Sequence, residues 1–173
     1  MLANKSKETR HLEMLCQQFG IHADYFRDLA DSALQYYGYN WSVLMELEDK
    51  PETLNKLYEA VKIIGSRKQT YTKEELERSF GYLSRAGLLQ VFVNGAVRVA
   101  REQLLTKPDP IYDAILDYFF FSKNPGSEYD FYDSIHISRP VMYVKKREIL
   151  VAVGIAIVEY SAVQAMKSLE EWA

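Results

Sequence analysis

Near its carboxyl end the chain reads Ile149-Leu150-Val151-Ala152-Val153-Gly154-Ile155-Ala156-Ile157-Val158, a run that is apolar on every side. Charged residues flank this run, Lys145 to Glu148 before it and Glu159 after it. A segment that is apolar all round belongs in the interior of a protein or of a membrane. The run has only half of the roughly 20 apolar residues that a bilayer requires. We therefore expect a buried core element and no membrane span.

Two secondary structures fit the run. As a strand, the odd positions from Val151 to Ile157 are β-branched and alternate with small residues, a pattern that favours strands. As a helix, apolar residues follow i, i+3/i+4 spacing from Ile149 onward, and good helix formers continue the pattern from Ser161 to Lys167. The continuation favours a helix between Ser138, which can cap its start, and Trp172. Its smallest residues would let neighbouring helices approach closely: Ala152, Gly154 and Ala156.

Composition is typical of a soluble globular protein with one domain. The chain has 173 residues, of which 48% are hydrophobic and 26% are charged, so we expect a single helical domain over residues 1–173. One cysteine excludes an internal disulfide framework and is typical of a reducing compartment. The first residues, Met1 to Lys5, open no apolar segment of the kind found in signal peptides. We therefore expect a cytoplasmic location.

Helical periodicity covers most of the chain before this run. We predict helices over Lys5 to Phe19, from an Asp24 cap to Gly38, and from an Asp49 cap to Gly65. A capping box at Thr72, with Glu75 three residues later, starts another helix. The pair Asp109-Pro110 opens the next one. Residues 122–137 are predicted to be a long aromatic and acidic connecting loop.

The segment Leu88 to Leu105 decides between two fold classes. Asn94-Gly95 between apolar runs is typical of a β-hairpin, and a hairpin at 88–101 would give an α+β, winged-helix-like arrangement. A two-residue turn, however, mixes polar and apolar side chains on both faces of that hairpin. A helix collects Gln90, Asn94, Arg98 and Arg101 into one polar stripe, despite a cost of about 1 kcal/mol for Gly95. We predict an all-α, multi-helix bundle packed around a long, largely buried C-terminal helix, with the α+β fold as the alternative.

No motif in the sequence indicates an enzymatic chemistry. The chain contains no P-loop, no Gly-x-Gly-x-x-Gly, no His-Glu-x-x-His and no Gly-x-Ser-x-Gly. Cys16 shares a helix face with apolar residues and has no histidine at useful spacing, so it is predicted to be a core residue. Asp109, Asp113 and Asp117 share a face, but without an accompanying histidine we expect a solvated face rather than a metal site. We predict no catalytic residue, no metal and no cofactor.

Basic helix faces favour a binding function instead. The net charge is −3, but the bases cluster between residues 62 and 107 and between 139 and 147. Such faces can neutralise phosphates of single-stranded RNA or DNA, and interleaved Tyr, Gln or Asn can stack or form hydrogen bonds. The candidate nucleic-acid contacts are Arg67, Lys68, Arg78, Tyr82, Arg85, Gln90, Asn94, Arg98, Arg101, Lys145, Lys146 and Arg147.

A protein partner is the alternative ligand. The aromatic acidic segment 122–137 and an incompletely covered central helix could dock onto a larger subunit or onto a second copy of the chain. Nucleic-acid backbone contact is the preferred prediction, because basic residues recur on several predicted helix faces.

One part of the sequence resembles a known family. Glu59-Ala60-Val61-Lys62-Ile63-Ile64 is followed by a short loop and by Thr72-Lys73-Glu74-Glu75-Leu76, with helical spacing onward to Leu83 and Val91. This pattern of helices resembles the C-terminal region of the large subunit of type I-D CRISPR effector complexes, a region that is also made as a separate small subunit. The resemblance implies a non-catalytic helical subunit that lies along guide–target nucleic acid in an elongated assembly.

Overall fold

A computed structural model describes residues 5–37, 50–67 and 71–172, and these residues form helices and turns without any strand. The all-α prediction is confirmed, and the alternative hairpin at 88–101 is wrong because those residues lie in a helix. The predicted boundaries Gly38 and Asp49 fall outside the described residues. The helices are α1 Lys7–Phe19, α2 Ala23–Tyr37, α3 Lys50–Ile64, α4 Lys73–Arg85, α5 Leu89–Val99, α6 Pro110–Leu116, α7 Glu128–Ser134, α8 Arg139–Ala156 and α9 Ala162–Trp172.

Single π-helical turns extend three of these helices. They are Ala100–Leu104 after α5, Asp117–Phe121 after α6, and Ile157–Ser161, which joins α8 to α9. Because the third turn is helical throughout, α8 and α9 form one continuous rod at the C-terminal end of the fold.

The rod is the buried element predicted from its sequence. Every residue from Ile149 to Val158 is buried, and helices α1, α2, α5 and α6 pack against α8. Ser138 is the residue that precedes the first turn, as predicted, but its side chain makes no capping hydrogen bond. The apolar run therefore lies at the centre of the core, and these four helices pack around it.

Among the described residues, one helix passes a length and composition test for a membrane span. The segment Arg139–Glu171 reaches a mean hydropathy of 1.9 over its most apolar window, and 67% of that window is buried inside the fold. The central helix of a bundle meets the same criterion, so the test is weak support for a span.

Gly154 sets how closely α2 approaches the rod. A Cβ atom at Gly154 would overlap the carbonyl oxygen of Phe26 and lie 2.8 Å from the Phe26 Cα. The two helix backbones are therefore in direct contact at this point. This confirms that small residues in the apolar run permit close helix packing.

Helix ends follow local sequence signals in most places. Gly20 ends α1 with a φ of 67°, and the Thr72 hydroxyl accepts a hydrogen bond from the Glu75 amide at 3.2 Å. Asp109 caps α6 by accepting from the Ile111 amide at 3.0 Å. One prediction is wrong: α2 begins at Ala23, so Asp24 lies in the first turn and does not cap the helix.

The segment 122–137 is only partly a loop. It contains α7, which starts where the Ser127 hydroxyl accepts a hydrogen bond from the Asp130 amide. The Phe131 ring stacks on the Tyr118 ring with centroids 4.2 Å apart and meets Phe119 edge to face. A cap and three aromatic rings therefore order a helix of two turns that its polar sequence did not predict.

Cys16 is a core residue, as predicted, with 3% of its surface exposed. Burial and the nearby Glu13 carboxylate raise the pKa of its thiol from 9.0 to about 11. Because the folded-state pKa is raised, the thiol proton contributes stability below pH 9 that is lost as the pH rises through 11.

We expect this linkage to be measurable by comparison with Cys16→Ala. Between pH 8 and pH 10.5 the wild-type chain should lose about 2 kcal/mol more of its free energy of unfolding than the variant loses. Urea titrations under reducing conditions test this. Equal losses in the two proteins would contradict the raised thiol pKa.

Candidate functional site

The basic residues in the middle of α8, Lys145 to Arg147, are partly buried and contact neighbouring elements. The Lys145 ammonium lies 3.5 Å from an Asp109 carboxylate oxygen and 5.2 Å from the centre of the Tyr112 ring. The Lys146 ammonium lies 3.9 Å from the centre of the Phe119 ring. These contacts attach α6 and the turn that follows it to α8, so both cations act as packing elements.

Arg147 makes a shorter ion pair than Lys145 does, and it attaches α2 to α8. Its guanidinium lies 2.6 Å from a carboxylate oxygen of Asp24 in the first turn of α2. Hydrogen bonding to Arg147 holds the pKa of the Asp24 carboxyl below its usual value. Arg27 lies 3.5 Å from the same carboxyl group, so Asp24 is shared by two arginines, one from α2 and one from α8.

Arg67 is also paired. It lies 2.5 Å from a carboxylate oxygen of Glu159 and stacks over the Phe19 ring at 5.5 Å. Lys68, the neighbouring candidate, lies outside the described residues.

The α4 candidates face a groove between α3 and α4 of about 780 Å³. Arg78 and Arg85 are exposed, and neither forms an ion pair with a described residue. The Tyr82 hydroxyl is buried and has no hydrogen-bond partner in that part of the chain. Arg78, Tyr82 and Arg85 line one groove together, but acidic side chains line it too: Glu52, Glu59 and Glu75.

The predicted polar stripe on α5 is exposed along its whole length. Gln90, Asn94, Arg98 and Arg101 all face solvent, which confirms the helical interpretation of this segment. The guanidinium of Arg101 lies 3.1 Å from a carboxylate oxygen of Asp113 on α6. Arg101, in the π-helical turn after α5, therefore pairs with α6, whereas Asn94 and Arg98 border a different surface.

That surface is a groove of about 650 Å³ between α5 and α9, here named the α5–α9 groove. Val61 from α3 and Leu83 from α4 contribute to its lining. Its α5 wall contains Leu88, Val91 and Phe92, and its α9 wall includes Ala165 and Leu169. The side chain of Val91 is 77% exposed, the highest value among the large apolar residues that the structure describes.

Arg98 lies at one end of the α5–α9 groove and is held in place by Tyr160. Its guanidinium donates to the Tyr160 hydroxyl at 2.8 Å and lies 5.7 Å from the ring centre. Glu102, one turn further along α5, lies 3.9 Å away. Gly95 leaves the room for Tyr160, since a Cβ there would lie 3.2 Å from the ring. The π-helical turn Ile157–Ser161 therefore places the Tyr160 ring beside the Arg98 guanidinium and holds it in position.

Sequence analysis missed a buried carboxylate on α8. Glu148 is 4% exposed and accepts hydrogen bonds from the hydroxyls of Ser6 at 2.6 Å, Thr9 at 2.9 Å and Tyr112 at 2.5 Å. Burial and this hydrogen bond raise the pKa of the Tyr112 hydroxyl well above its usual value. The available signal was spacing, since Glu148 stands four residues before the buried Ala152 on the same helix face.

A second buried carboxylate joins α1 to the chain before α6. Glu8 accepts from the amide of Thr106 at 2.7 Å and from its hydroxyl at 3.0 Å.

Within residues 5–37, 50–67 and 71–172, no three acidic, histidine or cysteine side chains converge as metal ligands would. No family model, no curated protein and no solved structure matches the chain.

Proposed function

We propose that this chain is a non-enzymatic helical subunit of a larger assembly that binds a protein partner in the α5–α9 groove. The observation that carries the proposal is the exposure of Val91 beside an apolar groove that no described helix covers. Contiguous exposed apolar surface with a polar rim is typical of protein interaction sites.

The charge distribution supports a protein partner over nucleic acid. Arg67, Arg101, Lys145 and Arg147 each face a carboxylate, and binding phosphate there would require those ion pairs to open. Counterion release from nucleic acid favours bases that are free to meet phosphates. Most of the predicted basic contacts therefore serve helix packing in this fold.

A capture experiment with a matched pair of variants tests the proposal. We expect Val91→Glu to reduce capture of a partner protein from native lysate at least tenfold, because it places a charge in the apolar groove. Met14→Glu adds the same charge at an apolar residue of α1 that is 52% exposed and outside the groove, and it should capture as the wild type does. Nuclease treatment should leave capture unchanged. Equal capture by both variants would contradict docking in the groove.

Contact with nucleic-acid backbone is a second candidate function. It is favoured by Arg78 and Arg85, which form no ion pair within the described part of the chain and share the α3–α4 groove with Tyr82. The resemblance to the small subunit of type I-D CRISPR effectors implies the same role, with single-stranded RNA or DNA as the ligand. Capture that nuclease abolishes and that Val91→Glu leaves intact would favour this candidate.

A further inference from the structure

We infer that the occupant of the α5–α9 groove is an amphipathic helix of the partner that places an acidic side chain on Arg98. This inference rests on the proposed function and adds the chemistry of the partner. It follows from the length of the groove, from the kind of backbone its walls can accept, and from the position of Arg98, the one cation among the described residues that line it.

The groove has the length of a short helix. Its α5 wall runs from Leu88 to Arg98, a rise of ten residues, which spans about 15 Å at 1.5 Å per residue. The α9 wall presents small side chains at Ser161, Ala165 and Ser168, which allow a third helix to lie close to it. A partner helix of about three turns, with apolar anchors at i, i+3/i+4 and i+7, fits these dimensions.

The walls favour a helix over an extended peptide. Both walls are helices, whose backbone N–H and C=O groups are paired along their length, so they offer no strand edge. An extended peptide would lay unpaired backbone groups against Val91, Phe92 and Leu169, which is costly. A helix pairs its own backbone groups and exposes only side chains to the groove.

The two ends of the groove differ in polarity. Arg98 contacts Tyr160 where the α9 wall begins, and from this point α5 leads back to Leu88 while α9 leads on to Leu169. One end therefore carries the Arg98 guanidinium, with the exposed Glu102 just beyond it, and the other end is apolar. A helix whose apolar face ends in a carboxylate matches both ends.

Arg98 is suited to receive that carboxylate. A guanidinium carries five N–H donors, and the Tyr160 hydroxyl uses one of them. The Glu102 carboxylate lies 3.9 Å away, but both side chains are at least half exposed, so this ion pair is weak and leaves donors for a second carboxylate. Because the ring already holds the group in place, little conformational entropy is lost when a carboxylate binds. The exposed side chains of Asn94 and Gln164 line the same groove and make no hydrogen bond with the described residues, so they can contact the rest of the helix.

A random peptide library displayed on phage tests the inference with the full chain as target. Selection against the wild type, with removal of phage that bind Val91→Glu, should enrich apolar residues at i, i+3/i+4 and i+7 followed by Glu or Asp. Synthetic copies of an enriched peptide should gain helical circular dichroism on binding. We expect Arg98→Gln to weaken their binding at least tenfold, and Arg85→Gln, an exposed arginine outside the groove, to leave it unchanged.

The peptide's own acid provides the decisive comparison. Replacing its Glu by Gln should weaken binding to the wild type about as much as Arg98→Gln does and should have little further effect on that variant. An enriched pattern of extended type, a pattern without an acid, or equal binding to wild type and Arg98→Gln would overturn the inference. So would a self-association that Val91→Glu abolishes, since the occupant would then be a second copy. In the first three cases, capture of a partner protein that depends on Val91 would still support the proposed function.

Discussion

Gly154→Ala is expected to destabilise the fold by about 3 kcal/mol, because the added methyl group meets backbone atoms rather than a movable side chain. The new Cβ would overlap the Phe26 carbonyl group, which is part of the α2 backbone and cannot rotate away as a side chain can. The two helices would have to separate, and the buried Leu29 and Ala30 on α2 would lose packing against the rod. The free energy of unfolding, measured by urea titration with circular dichroism, tests this directly.

Gly81→Ala is the matched control for helix propensity. Gly81 is also buried within a helix, but a Cβ there would lie 3.5 Å from a Tyr36 ring carbon, an ordinary contact. Alanine favours a helix over glycine by about 1 kcal/mol, so this variant should be neutral or slightly more stable. If both variants behaved alike, the close approach at Gly154 would not govern the packing of α2.

Periodicity predicted the main elements of this fold because it reports which face of a helix is apolar. The run from Ile149 to Val158 and the stripe from Gln90 to Arg101 were both assigned correctly on that basis. Both segments are long enough for helix and strand patterns to sort their side chains differently. For Gln90 to Arg101 the helical alternative placed polar and apolar groups on separate faces. For the apolar run it was favoured because helical spacing continued beyond Ser161, and the folded chain is helical in both places.

Periodicity does not report which residues meet across helices. Lys145 and Arg147 were predicted as nucleic-acid contacts, and Asp109 and Asp24, distant in sequence, lie against them. The groove beside Val91 was missed for the same reason, since its two walls are more than 60 residues apart in the chain. Pairings of this kind depend on tertiary contacts, for which a single sequence carries no local signal.

The short helix α7 shows a related gap. Its seven residues are too few for an isolated helix to be stable in water. It forms because Phe131 packs on Tyr118 and Phe119, which follow α6 in the chain. Sequence alone could identify Ser127 as a cap but not the rings that receive Phe131.

Glu148→Leu is expected to cost about 3 kcal/mol of stability, although leucine has a similar volume and suits a buried site. The replacement removes the one acceptor that the hydroxyls of Ser6, Thr9 and Tyr112 share. A buried donor left without a partner costs about 1 to 3 kcal/mol, and the Tyr112 hydroxyl is the most enclosed of the three. Urea titration again measures the loss in the free energy of unfolding.

The double variant Glu148→Leu with Tyr112→Phe separates hydrogen bonding from packing. Removing both partners of a buried hydrogen bond can be nearly neutral, so the second substitution should restore most of the stability that the first one loses. Tyr112→Phe alone should be destabilising, since it leaves a carboxylate oxygen of Glu148 without its donor. Relative to the wild type, Glu148→Leu should accelerate amide hydrogen exchange more in α1 than in α5. The reason is that Ser6 and Thr9 attach α1 to the rod through this carboxylate. Additive losses in the double variant would mean that the hydrogen bond between Glu148 and Tyr112 does not couple the two residues energetically.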